Sequence, residues 1–208
     1  MECGLLSAFT RSRWKAPTQT RTTPTCWRNY RRLSRLSVVL VLALALAGCS
    51  LGSRSFRHQL VTEEEAALAL EFAKTQLGAP YEWGGRQPPA FDSSGIITWS
   101  YRQVIPNLRF QLGGGRTASD APHRYIYRYN FHPLPLEDIR PGDLVYITDG
   151  AAEVTHGAMF VEWVEPYRLM KFLDASTRLG KVTIQEWPVD EEHHGQRFVA
   201  AGRLKVIR

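Results

Sequence analysis

Three side chains in this sequence have the types needed for acyl-transfer chemistry. They are Ser93 in Phe91-Asp92-Ser93-Ser94-Gly95-Ile96-Ile97, His156 in Thr155-His156-Gly157, and Asp174 in Phe172-Leu173-Asp174-Ala175. A serine hydroxyl attacks a carbonyl when a base takes its proton. Imidazole serves near neutral pH, and a carboxylate on the far ring nitrogen fixes its tautomer. The polar cluster around Ser93 ends in glycine and runs into an apolar helical pattern. A hydroxyl is therefore presented at a helix N-terminus, where free N–H groups and the helix dipole favour negative charge. That position suits a nucleophile with its oxyanion, and it equally suits an ordinary N-cap. By spacing alone, Ser, His and Asp at element ends are most often caps and turn residues.

The elements around these residues follow from patterning. Thr62 with Glu65 three residues on is a capping box, and Ala66, Leu70, Ala73 and Leu77 recur at helical spacing until Gly78 and Pro80. Residues 79–92 are a loop. A second helix is expected from about Ser94 to Val104, with Ile97, Ser100, Tyr101 and Val104 on one face and Pro106 as its stop. Residues 107–135 are irregular, with a flexible Gly113–Gly115 loop and a small helix around 117–128. The period then changes to strands at Asp143–Ile147, Ala158–Val164, Arg168–Asp174, Lys181–Gln185 and Phe198–Val206. Helices first and a meander of strands second predict an α+β domain with an antiparallel sheet. Neighbouring antiparallel strands would set His156 beside Asp174, both facing the helix N-terminus. A working triad then needs the Ser93 hydroxyl within about 3–4 Å of a His156 ring nitrogen.

The leader reads differently. The net charge is +6, but residues 1–48 hold eight basic residues and one acidic one, leaving 18 basic and 19 acidic in the remainder. The folded part therefore has no basic block, and no nucleic-acid partner is expected. Arg28, Arg31, Arg32 and Arg35 precede the ten apolar residues Val38 to Ala47, and Leu46-Ala47-Gly48-Cys49 closes the run. A basic flank, a short apolar run and small residues make a secretory signal, too short to span a bilayer. Its ending resembles the bacterial lipoprotein processing box, which implies cleavage before Cys49 and lipid on that residue. The expected organisation is a signal peptide over 1–48, a lipidated tether over 49–61 and a domain over 62–208. Ser50 after Cys49 favours an outer-membrane anchor facing the periplasm, if the bacterium has an outer membrane. The only cysteines are Cys3, Cys26 and Cys49, so the domain holds neither a thiol nucleophile nor a disulfide. His193-His194 beside Glu191-Glu192 reads as a solvated loop, and Gly113–Gly115 lacks the Lys-Ser/Thr of a phosphate loop. No metal or cofactor is expected. Trp99, Trp163 and Trp187 read as core, and Trp83 as core or cleft lining.

Gly78-x-Pro80-Tyr81-x-Trp83-Gly84-Gly85, Asp92-x-Ser94-Gly95, Arg116-Thr117, Pro141-Gly142-Asp143-Leu144 and His156 occur in that order. Together they resemble the NlpC-type family of papain-like cell-wall peptidases, from about Glu64 to the C-terminus. The resemblance implies N-terminal helices packed on an antiparallel sheet of about five or six strands. It implies an activity on peptidoglycan stem peptides, with Tyr81 assisting near the oxyanion, His156 as base and Asp174 in the third polar position. Two departures stand out. Ser93 replaces the family's nucleophilic cysteine, and His156-Gly157-Ala158 replaces its usual His-x-Gly. A thiol is partly ionised near neutral pH, whereas a serine must lose its proton in the transition state, and a site shaped for sulfur holds oxygen too far away. Two readings follow. One is a cell-envelope lipoprotein whose cleft binds peptidoglycan peptides or another envelope protein with weak or no turnover. The other is a serine-type peptidase, amidase or esterase using Ser93, His156 and Asp174. The first is slightly favoured.

Overall fold

The computed structural model describes residues 56–150 and 154–208. The expected signal peptide, Cys49 and the tether up to residue 55 lie outside the described residues. The chain enters as a two-residue strand, β1 (Gln59–Leu60), followed by helix α1 (Glu63–Lys74). The capping box is formed in both directions, Thr62 N–H to Glu65 Oε2 at 3.0 Å and Glu65 N–H to Thr62 Oγ1 at 3.2 Å. Glu63, Glu64 and Glu65 fill the first turn, where the dipole favours them. The face that α1 buries is made of Ala66, Ala69, Leu70 and Ala73, and three alanines let a neighbour approach closely. Gly142 uses that space: a Cβ there would lie 1.9 Å from the Ala66 carbonyl oxygen.

A small hairpin, β2 (Arg86–Gln87) with β3 (Ala90–Phe91), leads into helix α2 (Ser93–Val104). A second hairpin, β4 (Phe110–Leu112) with β5 (Arg116–Ala118), closes through Gly114 and Gly115 at positive φ. Helix α3 (His123–Tyr129) and strand β6 (Phe131–Leu134) follow. The meander is β7 (Leu144–Thr148), β8 (His156–Glu165), β9 (Leu169–Ser176), β10 (Lys181–Pro188) and β11 (Arg197–Val206).

These strands form one seven-stranded sheet in the order β1-β11-β7-β8-β9-β10, with β6 also on β11. Its strand pairings are antiparallel. The α+β class is as expected, with three helices, and the sheet has one more strand than the five or six foreseen. Two apolar layers explain why the strand pattern is not a clean alternation. Leu144 and Tyr146 face the helices with Ile97, Tyr101 and Met159, while Val145 and Ile147 face the other way with Ala158, Phe172 and Trp187. A strand buried on both faces reads as a continuous apolar run.

Strand β1 lies within the stretch read as tether. Gln59 pairs with Val206 and Leu60 with Lys205, and Val61, buried, donates to the Leu204 carbonyl at 2.9 Å. The Pro-Gly-Asp-Leu segment braces the architecture. Its Asp143, fully buried, accepts from Arg203 Nε at 2.8 Å and from its Nη2 at 3.0 Å. This bidentate contact raises the guanidinium's pKa above its ordinary value. Tyr101 donates to the Gly142 carbonyl at 2.8 Å, so α2 is fastened to the same turn. No described helix is long and apolar enough to cross a membrane.

Candidate active site

Helix α2 begins at Ser93, and its N-cap is the preceding Asp92. Asp92 Oδ1 accepts from Gly95 N–H at 2.6 Å and from the Ser94 hydroxyl at 2.9 Å, and Oδ2 accepts from Gly84 N–H at 3.1 Å. Arg86 lies over the same carboxylate, with Nη1 3.3 Å from Oδ1. That Nη1 also donates to Ser94 Oγ at 2.6 Å, while Nε reaches Asp120 at 3.3 Å. Gly95 is required by a close approach: a Cβ there would lie 2.0 Å from the Gly85 carbonyl oxygen. The capping role belongs to Asp92, and the Ser93 side chain is released to line a cleft.

That cleft, about 250 Å³, is lined by Tyr81, Trp83, Arg86, Ser93, His123 and Arg124 among others. Trp83 stands at its rim, 88% exposed. Tyr81 is anchored through its backbone, donating N–H to the Gly180 carbonyl and bridging to Phe91. Burial, helped by the Asp92 charge, raises the phenol's pKa, so it stays protonated as a donor.

The Ser93 hydroxyl makes its hydrogen bond with His123, Oγ to Nε2 at 2.9 Å. His123 is the first residue of α3 and is buried, its ring edge-on to Tyr146 at 5.7 Å. Its Nδ1 is buried without a partner among the described residues. Burial first, then His156 and Arg86, hold its pKa well below the ordinary imidazole value. Sequence reasoning did not find this residue. The signal it left is the glycine after His156: a Cβ at Gly157 would lie 2.7 Å from His123 Nδ1 and Cε1 and 2.8 Å from Tyr146.

His156 and Asp174 do come together, as the strand order suggested. His156 Nε2 lies 2.8 Å from Asp174 Oδ2, and Asp174 Oδ1 accepts from Gln185 at 2.8 Å, itself held by Arg178 at 2.8 Å. His156 and Asp174 line a different cavity, of about 290 Å³, with Arg178, Gln185 and Trp187. Among the described residues none lines both it and the Ser93 cleft. The two histidine rings are 6.1 Å apart between centroids. The three residues singled out by sequence thus sit as two pairs, Ser93 with His123 and His156 with Asp174. Among the described residues no group of His, Cys, Asp and Glu is arranged to hold a metal ion.

The NlpC/P60 family model matches residues 78–203, more than half of the chain. A probable endopeptidase of Mycobacterium tuberculosis is 30% identical over 95 residues, 44% of this chain and 20% of that protein. Murein DD-endopeptidase MepH of Escherichia coli is 26% identical over 155 residues, 74% of this chain and 51% of that protein. The chain thus spans from a fifth to about half of the length of these relatives. The solved structure of NlpC1 from Trichomonas vaginalis, 22% identical, superposes with a TM-score of 0.52 over 71% of this chain and 46% of that one, a likeness of fold. The chain belongs to the NlpC/P60 family.

Proposed function

We propose that this protein is a cell-envelope lipoprotein whose NlpC/P60 cleft binds peptidoglycan stem peptides, or another envelope protein, with weak or no turnover. The names of the relatives, endopeptidases acting on murein among them, support the ligand class. One observation carries the low turnover: the Ser93 hydroxyl is held by His123, while His156 and Asp174 line a separate cavity. A Ser–His–Asp triad works with nucleophile, base and orienting carboxylate in one line. His123 lacks the third member, because its Nδ1 has no acceptor among the described residues. Tyr81, kept protonated, remains a donor for a peptide carbonyl in the Ser93 cleft. Lipid on Cys49 would hold the domain at a membrane, the outer one facing the periplasm where there is one. Incorporation of labelled palmitate, lost in Cys49→Ala, tests the anchor.

Two measurements on the purified full-length protein test the cleft. Titration with a disaccharide-tetrapeptide muropeptide is expected to saturate, and a fluorophosphonate probe is expected to leave Ser93 unlabelled. Labelling that disappears in Ser93→Ala, with release of cleaved muropeptide, would establish the serine-hydrolase reading instead. The intact His156–Asp174–Gln185 chain is what favours that second reading, since it is the arrangement that orients a catalytic imidazole.

A further inference from the structure

We propose that His123 is a positioning residue for Ser93: its neutral ring donates Nε2–H to the Ser93 oxygen and turns the hydroxyl proton into the cleft, as a donor to a carbonyl of the bound peptide. This rests on the peptide-binding reading above. The pair is built into the fold. His123 Nε2 and Ser93 Oγ are 2.9 Å apart, and the ring is walled by Tyr146 on its edge and by the Gly157 backbone. Any side chain at position 157 would meet the ring at 2.7 Å, so the glycine after His156 and the histidine over it go together. The departure from His-x-Gly thereby gains a physical reason.

The direction of the hydrogen bond follows from the other nitrogen. Nδ1 is buried with no partner among the described residues. A proton there would leave an orphaned N–H, the rarest kind of unsatisfied group, whereas a lone pair is the milder burden. The proton therefore belongs on Nε2, and Ser93 accepts it. A hydroxyl has one proton and two lone pairs, so accepting from His123 leaves its proton free to turn outward. Protonation of the whole ring is opposed first by burial, then by His156 and Arg86 beside it.

Long-range 1H–15N correlation spectra of the unliganded full-length protein decide the hydrogen bond. The expected result is a neutral Nε2–H tautomer for His123 at about pH 7 to 8. An Nδ1–H tautomer would overturn the proposal. Calorimetric titration with the disaccharide-tetrapeptide decides the role in the cleft. Ser93→Ala and His123→Leu are each expected to weaken binding about five- to tenfold, the double variant no further, and His123→Gln, which keeps a donor, is expected to stay within about threefold of wild type. Wild-type affinity in His123→Leu, or additive losses, would refute the role. Wild-type protein that binds no muropeptide would overturn the cleft reading and this use of the hydroxyl together, while the tautomer spectrum still decides the His123–Ser93 bond by itself.

Discussion

A buried imidazole facing an arginine and a second histidine takes up a proton only with difficulty, and His123 is in that position. The consequence for stability has a definite sign. Above about pH 6.5 the ring is neutral both folded and unfolded, and it contributes nothing to the pH dependence. Below that pH the unfolded chain binds a proton that the folded chain refuses. Stability therefore falls as pH falls, by up to about 1.4 kcal/mol per pH unit, until the depressed folded pKa is reached. His123→Gln removes this titration, so its unfolding free energy is expected to decline less steeply between pH 6.5 and 5 by that slope. His58 and His193 also have lowered pKa values, both chiefly from burial, but they are common to both proteins and cancel in the difference. Urea unfolding at several pH values measures the slopes, and parallel curves would show that His123 is not held neutral by the fold.

Elements whose ends carry their own chemistry were legible from sequence. Thr62 and Glu65 announce α1, and the Asp92 cluster announces α2 within one residue. The five strands of the meander were found, because turn residues separate β-rich runs. What escaped has a physical reason in each case. Strand β6 contains Pro133, which gives no N–H to a ladder, and it pairs only with β11. Strand β1 is two residues long and shows no period. His123 escaped because nothing local marks a histidine at the start of a seven-residue helix; its partner Ser93 is thirty residues away and its wall, Gly157, thirty-four. The join between β3 and α2 makes a test at this scale. Gly95→Ala would press a methyl against the Gly85 carbonyl at 2.0 Å, where backbone lies on both sides, and is expected to cost about 3 kcal/mol, the upper end for overpacking. Gly113→Ala, whose added methyl meets Tyr125 at an ordinary 3.7 Å, is the control and is expected to change stability by less than about 0.5 kcal/mol. Equal effects in thermal unfolding would mean that α2 does not start against that carbonyl.

At the scale of the whole molecule, contacts distant in sequence hold the sheet together, and β11 pairs with β1, β6 and β7. Arg203 on β11 reaches back 60 residues to Asp143, and removing Asp143 would leave the guanidinium only the exposed Glu63 at 3.4 Å and Arg140 N–H without its acceptor. Asp143→Ala is accordingly expected to cost about 2–4 kcal/mol in denaturant unfolding, and a loss below about 1 kcal/mol would deny the pair that weight. Strand β11 also pairs with β1, which ties the residues before Thr62 to the sheet. Val61 is 1% exposed and donates to the Leu204 carbonyl, and Arg208 at the chain end pairs with Glu65. A chain beginning at Thr62 would lose a buried valine, worth about 1.5–3 kcal/mol, and a backbone hydrogen bond worth about 1 kcal/mol. It would also leave the Lys205–Val206 edge of the sheet open to other chains. Compared with a chain beginning at Phe56, the shorter one is expected to melt about 5–10 °C lower and to aggregate sooner on heating. Identical melting would keep the tether boundary at residue 61. A lower melting point would instead show that Gln59 to Val61 are part of the folded unit, with no slack between β1 and α1.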